Sequence, residues 1–265
     1  MILDELAEYA TQRVKADMEK KPLDVMKFEA LGSGKGYFRF EKTLARGKAV
    51  IAEVKRASPS KGMISEDFPH VDIAREYENS GADCISCLTE PKWFLGSDEI
   101  FREIRRSVSL PMLRKDFTVH EYQIYQAKAM GADAVLLICA LLDVQKLKRY
   151  IGTCDELGIS ALVETHNESE ITAAVEAGAR VIGVNNRDLR DFSVNTENAA
   201  GLRSRVPQGK IFVSESGITS PETAAEMFRN GADAVLIGEA LMRSSDKNRF
   251  INMCKIPACF EGAVK

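Results

Sequence analysis

The chain has 265 residues, 45% hydrophobic and 28% charged, with a formal net charge of −3. That length fits two ordinary domains or one large one such as an α/β barrel, and the near-balanced charge leaves no electrostatic footprint for nucleic acid or an anionic membrane surface. No run of about 18 apolar residues is present to span a bilayer, and the charged N-terminus, MILDELAEYATQRVKADMEKK, lacks the apolar core of a signal peptide.

Residues 1–48 show helical periodicity in LDELAEYATQRVKADMEK and end in a glycine-rich link, LGSGKGYFRF. The link is not a phosphate loop. Lys35 is followed by Gly36 where Ser or Thr is needed, and no glycine lies five places before Gly34. It reads as a flexible connector. The expectation is an N-terminal helical extension, 1–48, that packs on the rest of the chain and covers one end of it.

From residue 49 the pattern changes. AVIAEV (49–54) is the first apolar strand, and one phrase then recurs: SGADCISCL (80–88), MGADAVLLI (130–138), AGARVIGVN (177–185) and NGADAVLIG (230–238). Its glycines, Gly81, Gly131, Gly178 and Gly231, fall roughly fifty residues apart. Each stops a helix and is followed by a strand. PMLRKD (111–116), SALVET (160–165) and KIFVSE (210–215) complete a set of eight strands. Helical patterns such as VDIAREYENS, HEYQIYQAKAM, VQKLKRYIGTCDEL and PETAAEMFRN alternate with them. This alternation predicts a closed α/β structure over 49–265, a (β/α)8 TIM barrel, forming a single structural domain with its extension. An open doubly wound sheet fits less well, since the β-α repeat is regular and no dinucleotide fingerprint is present.

Six cysteines, Cys84, Cys87, Cys139, Cys154, Cys254 and Cys259, mostly sit in apolar runs and read as reduced core residues of a cytoplasmic protein. Cys84 and Cys87 make a C-x-x-C, but on a strand they face opposite ways, and there is no second pair. The three histidines are scattered, so neither metal nor cofactor is expected. Arg102, Arg105 and Arg106 read as a solvated helix face.

The charges at the strand ends are less ordinary. A strand alternates faces, so Ile51, Glu53 and Lys55 share one side. The same change from apolar to polar recurs from Leu113 to Lys115, from Leu162 to Glu164, from Gly183 to Asn185 and Arg187, and from Val213 to Glu215. Barrel active sites form at the C-terminal ends of the strands, where these residues would meet in one mouth. Burying an unpaired charge costs several kcal/mol, so the set as a whole is hard to explain as packing, although any one member could neutralise a neighbour. SESGITSPET (214–223) and VLIGEALM (235–242) add glycine turns after the last two strands, with Ser220 as N-cap and Pro221 at the first helical position. Backbone N–H groups around Ser216, Gly217, Gly238 and Glu239 would form the usual phosphate cradle. Glu239 is expected to contribute its N–H and turn its carboxylate outward.

These segments resemble the indole-3-glycerol phosphate synthase family of tryptophan biosynthesis. The resemblance rests on IAEVKRASPSKG, LTEPKWFLGS, LPMLRKDF, GADAVLLI, ALVETH, GVNNRDL, VSESGI and LIGEALM, spread over 49–245. It implies ring closure of 1-(2-carboxyphenylamino)-1-deoxyribulose 5-phosphate with loss of carbon dioxide and water. It further implies Lys115 as general acid, Glu164 as base or acid in the dehydration, and Glu53 as a second carboxylate. Lys55 and Ser58 would contact anionic parts of the substrate, and Phe94 its aromatic ring. Asn185, Arg187, Glu215 and Ser216 would hold the sugar, and Gly217, Gly238 and Glu239 the phosphate. RASPSKG (56–62) would be a mobile loop over the mouth. The expected partner is a phosphorylated small molecule, with no nucleic acid and no membrane, for a monomer open to association with other enzymes of its pathway. The rivals are another phosphate-binding barrel, such as phosphoribosylanthranilate isomerase or a sugar-phosphate epimerase, and a non-catalytic phosphate-binding subunit.

Overall fold

Apolar segments bounded by glycine turns become eight parallel strands: β1 (Ala49–Val54), β2 (Cys84–Leu88), β3 (Met112–Lys115), β4 (Ala134–Ile138), β5 (Ser160–Thr165), β6 (Val181–Asn185), β7 (Ile211–Glu215) and β8 (Ala234–Ile237). Each pairs with its neighbours in the sequence, and β8 closes on β1 to complete a TIM barrel. The computed structural model describes residues 2–188 and 193–256. Leu189, the end of the GVNNRDL run, and Cys259 lie outside the described residues.

Three helices precede the barrel: α1 (Ile2–Lys20), α2 (Leu23–Gly32) and α3 (Arg39–Leu44). Then come α4 (His70–Asn79), α5 (Asp98–Ser107), α6 (Tyr122–Ala129), α7 (Val144–Leu157), α8 (Glu168–Glu176), α9 (Glu197–Leu202), α10 (Pro221–Arg229), α11 (Glu239–Arg243) and α12 (Lys247–Lys255). Among the described residues no helix is long and apolar enough to cross a membrane.

The recurring phrase has a two-part physical cause. Its glycines take left-handed backbone, with φ of 87°, 87°, 90° and 90° at Gly81, Gly131, Gly178 and Gly231. At the first of them Gly81 N–H donates to Glu78 O and Ala82 N–H to Tyr77 O, which ends α4 in a Schellman motif. The aspartate two places on then ties the next strand to its predecessor. Asp83 accepts from the N–H of Val50, Asp133 from that of Met112 and Asp233 from that of Phe212, all within 3.0 Å. The third copy has Arg180 there instead, and it pairs with Glu41 and Asp155.

Strand alternation divides the core in two. Tyr77, Phe101, Tyr150 and Phe212 pack between sheet and helices, while Ile51, Leu113, Leu162 and Val213 fill the barrel. Burial of each such aliphatic side chain stabilises the fold by roughly 2 kcal/mol. Phe40 and Leu44 of α3 close the end where the strands begin, and Leu3, Leu6 and Ala10 of α1 join the same cluster. At the other end Arg13 of α1 donates two hydrogen bonds to Asp116, at 2.6 and 3.2 Å, just past β3.

Two local expectations are corrected. The link before α3 is not a free connector: Gly36 N–H donates to Leu157 O at 2.8 Å and Phe38 N–H to Gly158 O at 3.0 Å. Gly36 and Gly158 lie backbone to backbone, and a Cβ on either would overlap the other. Arg105 leaves the solvated face and donates to Leu110 O at 2.9 Å and to Asp133 at 3.2 Å, because its long stem reaches the end of β3. Gly36→Ala is expected to lower stability by roughly 1–3 kcal/mol, read as a fall in Tm, while Gly32→Ala, whose Cβ meets open space, loses less.

Candidate active site

Parallel pairing sets the rim residues at nearly one depth. Lys115 lies beside Leu88, Glu164 beside Ile138 and Gly183, and Glu215 beside Asn185 and Leu236. Since Leu113, Leu162 and Val213 point inward, the residues two places on do as well. They open into a cavity of about 1210 Å³ at the C-terminal ends of the strands. Glu53, Lys55, Ser58, Phe94, Lys115, Glu164, Asn185, Arg187, Glu215, Ser216, Gly217, Gly238 and Glu239 all line it. The structure thus brings every candidate site residue named from the sequence to one opening.

Lys115 Nζ is 3.1 Å from Glu164 Oε2 and 3.5 Å from Glu215 Oε2, and both carboxylates are about 2% exposed. Lys55 Nζ is 2.6 Å from Glu53 Oε1. Two glycines make space for these groups. A Cβ at 183 would overlap the Glu215 carboxylate, and one at 238 would overlap Glu53 and crowd Lys55. Gly238 therefore serves the charge pair as well as the turn into α11.

The charges divide unequally. Burial alone would lower the Lys115 pKa, but Glu164, Glu215 and Glu53 raise it by more, so the amine stays protonated. Burial pushes Glu164 up, and Lys115, His166 and a hydrogen bond from Asn185 overcome it, leaving this carboxylate below the usual range. Glu215 goes the other way. Burial is the largest cause, Lys115 only partly offsets it, and repulsion from Glu164 and Glu53 brings the group to about 7. Its Oε1 is buried with no hydrogen-bond partner among the described residues.

The turn after β7 holds Ser216 at φ 65° and Gly217 at φ 76°. A non-glycine residue in left-handed backbone costs of order 1–3 kcal/mol, which the surroundings must offset. Asn186 helps to do so: its Nδ2 donates to Ser216 O at 3.1 Å and to Ser214 Oγ at 3.2 Å, while its Oδ1 accepts from Ala199 N–H. Ser220 caps α10 by accepting from Thr223 N–H. The Glu239 carboxylate lies 3.1 Å from Arg243 Nε, one turn along α11.

Residues 57–63 form a short antiparallel hairpin, Ala57–Ser58 against Gly62–Met63, with Ser58, Pro59, Ser60 and Lys61 facing the cavity. Across from it, fully buried Glu90 fixes the loop after β2. Its Oε1 accepts from Lys92 N–H at 2.9 Å, and its Oε2 from the N–H groups of Trp93 and Phe94 at 2.8 and 2.9 Å. Phe94 is thereby set 6.2 Å from the Phe117 ring. Asp116, which bonds Arg13, Thr89 Oγ1 and Phe117 N–H, fixes the chain next to Lys115.

Glu90, Asn186 and Asp116 escaped the sequence reading. All three stood inside quoted segments, and a carboxylate before proline in LTEPKWF is itself a turn signal. Among the described residues no group of three or more His, Cys, Asp or Glu is arranged to hold a metal ion. Burial pushes the Cys84 and Cys87 thiols up, which keeps them un-ionised.

Comparison with known proteins adds a family to this geometry. The family model described as indole-3-glycerol phosphate synthase matches residues 3–254. A protein of that name from Ruminiclostridium cellulolyticum is 51% identical over 93% of this chain and 95% of its own length. One from Endomicrobium trichonymphae is 50% identical over 93% and 96%, respectively. A solved thiamine phosphate pyrophosphorylase from Pyrococcus furiosus aligns with a TM-score of 0.60 at 18% identity, covering 79% of this chain and 95% of that one, a likeness of fold alone. With the family model spanning nearly the whole chain and relatives at half identity over their full length, this chain belongs to the indole-3-glycerol phosphate synthase family.

Proposed function

We propose that this chain is a carboxy-lyase of the cytoplasm that closes 1-(2-carboxyphenylamino)-1-deoxyribulose 5-phosphate to indole-3-glycerol phosphate. The observation that carries this reading is Lys115 Nζ, set between Glu164 and Glu215 in a cavity large enough for that substrate. Lys115 faces the ribulose carbonyl and protonates its oxygen as the ring carbon bearing the carboxylate attacks. An alkoxide is a stronger base than an amine, so this transfer runs downhill even from a lysine whose proton is tightly held.

Ring closure leaves positive charge on the nitrogen, which Glu53 and Glu164 stabilise electrostatically. That charge draws in the electron pair released when the carboxylate leaves as carbon dioxide. Glu164 then removes a proton from the new ring and, with Glu53 assisting, that proton is passed to the hydroxyl, which departs as water. Lys55 and Ser58 meet the anionic parts of the substrate, and Phe94, on the loop fixed by Glu90, packs on the aromatic ring. Asn185, Arg187, Glu215 and Ser216 hold the sugar. Backbone N–H groups of Gly217, Gly238 and Glu239 receive the phosphate, and pairing with Arg243 keeps the Glu239 carboxylate from repelling it.

Mixing the protein with the anilino-ribulose phosphate should generate indole absorbance and fluorescence, and a flat signal would exclude the reading. Lys115→Ala is expected to reduce kcat by about 10³-fold and Glu164→Gln by about 10²-fold, so near-normal turnover in both would remove their assigned roles.

Glu215 yields a prediction with a definite sign. Its folded pKa is raised above the unfolded value, so its contribution to stability is complete at low pH and is lost as pH rises through about 7. Glu215→Gln should therefore melt higher than wild type by a few degrees at about pH 8 and lose that advantage toward about pH 5, while turning over more slowly. A constant difference in Tm across that range would show that Glu215 is not strained by its charge.

A further inference from the structure

His166 lies just past β5, two residues beyond Glu164, and takes no part in the steps above. Its Nδ1 is 3.1 Å from Glu170 Oε2, and its backbone N–H donates to the same oxygen at 2.8 Å. Glu170, in the first turn of α8, is itself fixed. Asn167 Nδ2 donates to its Oε1 at 2.8 Å, and its own N–H donates to Asn167 Oδ1 at 3.0 Å. The ring so held turns its other nitrogen toward the barrel mouth. Nε2 is 3.5 Å from Glu164 Oε1, buried and, among the described residues, without a hydrogen-bond partner. The two oxygens of Glu164 are thus divided, Oε2 toward Lys115 and Oε1 toward His166.

We propose that His166, anchored by Glu170, is a positioning residue whose protonated ring orients Glu164 and holds it in the ionised form that accepts a proton. The inference rests on the role given to Glu164 above. A cation on each side of a buried carboxylate favours its charged state, and removing either returns the cost of burial to the carboxylate. The other groups around the pair are Lys115 from β3, Glu215 from β7, Asn185 at the end of β6, Cys139 after β4 and Asn198 of α9. Cys139 Sγ donates to Glu170 O at 3.5 Å, and burial pushes its thiol up to about 12, so it brings no charge. Asn198 Nδ2 donates to His166 O at 3.2 Å. Burial works against protonation of His166, yet Glu170, Glu164 and Glu215 outweigh it, so the ring keeps its proton to higher pH than an ordinary histidine.

The chain has three histidines, so ¹⁵N-histidine NMR can follow each ring, and the resonance missing from His166→Gln identifies this one. Its midpoint should lie above about 6.5 in the wild type and fall by about half a pH unit or more in Glu164→Gln and in Glu170→Gln. In parallel, the acidic limb of the kcat/KM profile should move up by about half a unit in His166→Gln and Glu170→Gln, because Glu164 then binds its proton more tightly. A midpoint unmoved in Glu164→Gln, or a lower rate with the limb unmoved in both other variants, overturns the proposal. If the wild type makes no indole product, the ring-closure reading fails by itself, and the NMR titration still decides whether His166 and Glu164 are coupled.

Discussion

Removing a carboxylate from water costs several kcal/mol unless a cation replaces the solvent, and at the mouth of this barrel Glu164 and Glu215 draw on the same one, Lys115. Glu53 has Lys55 to itself at 2.6 Å. Glu164 has His166 on its other side, so the imbalance falls on Glu215, whose Oε1 has no hydrogen-bond partner among the described residues and whose pKa rises to about 7. The site is poised by this shortage. When Glu215 takes a proton its claim on Lys115 weakens, and the ammonium is freer to turn toward a bound carbonyl. A fully matched set of ion pairs would be more stable and would hold its protons too firmly for chemistry at neutral pH.

Such a cluster works only if its members stay within a few tenths of an ångström of their places, and the structure fixes the backbone on which they sit. Asp116, the residue after Lys115, is anchored to Arg13 of α1 and to Thr89 after β2, so the N-terminal extension reaches the chemistry through a partly buried ion pair. Glu90 gathers three consecutive backbone donors and fixes the loop of Phe94. Asn186 bridges the end of β6 to the left-handed turn at Ser216. None of these side chains needs to touch a ligand. Each removes a degree of freedom from one that does.

Strand order and the barrel were legible because their signals are local. A Schellman glycine followed by a strand-tying aspartate has to be spelled within four residues, and the chain spells it three times in full. The rim charges were legible for a related reason: Glu53, Lys115, Glu164 and Glu215 interrupt runs that are otherwise apolar. What could not be read depends on partners far along the chain. Gly36 looks like a flexible linker residue, yet it is glycine because Gly158 lies against it. Gly183 passes for a plain strand residue until the carboxylate of Glu215 is found where its Cβ would be. Arg13 sits in a helix rich in charge, and nothing nearby in the sequence distinguishes it from its solvated neighbours.

The two ends of the barrel therefore differ in how completely their buried polar groups are satisfied. Where strands begin, Asp83, Asp133 and Asp233 each receive a backbone N–H, and polar groups there are satisfied within the fold. Where strands end, Glu90 and Asp116 are satisfied as well, but Glu215 Oε1 and His166 Nε2 are buried and, among the described residues, without a hydrogen-bond partner, capacity that folding alone leaves unused. Glu215 differs from the carboxylates that only fix the fold in keeping one buried oxygen without such a partner. A parallel barrel can keep both because every strand runs the same way, so the incomplete contacts face the cavity at one end while the other end is closed.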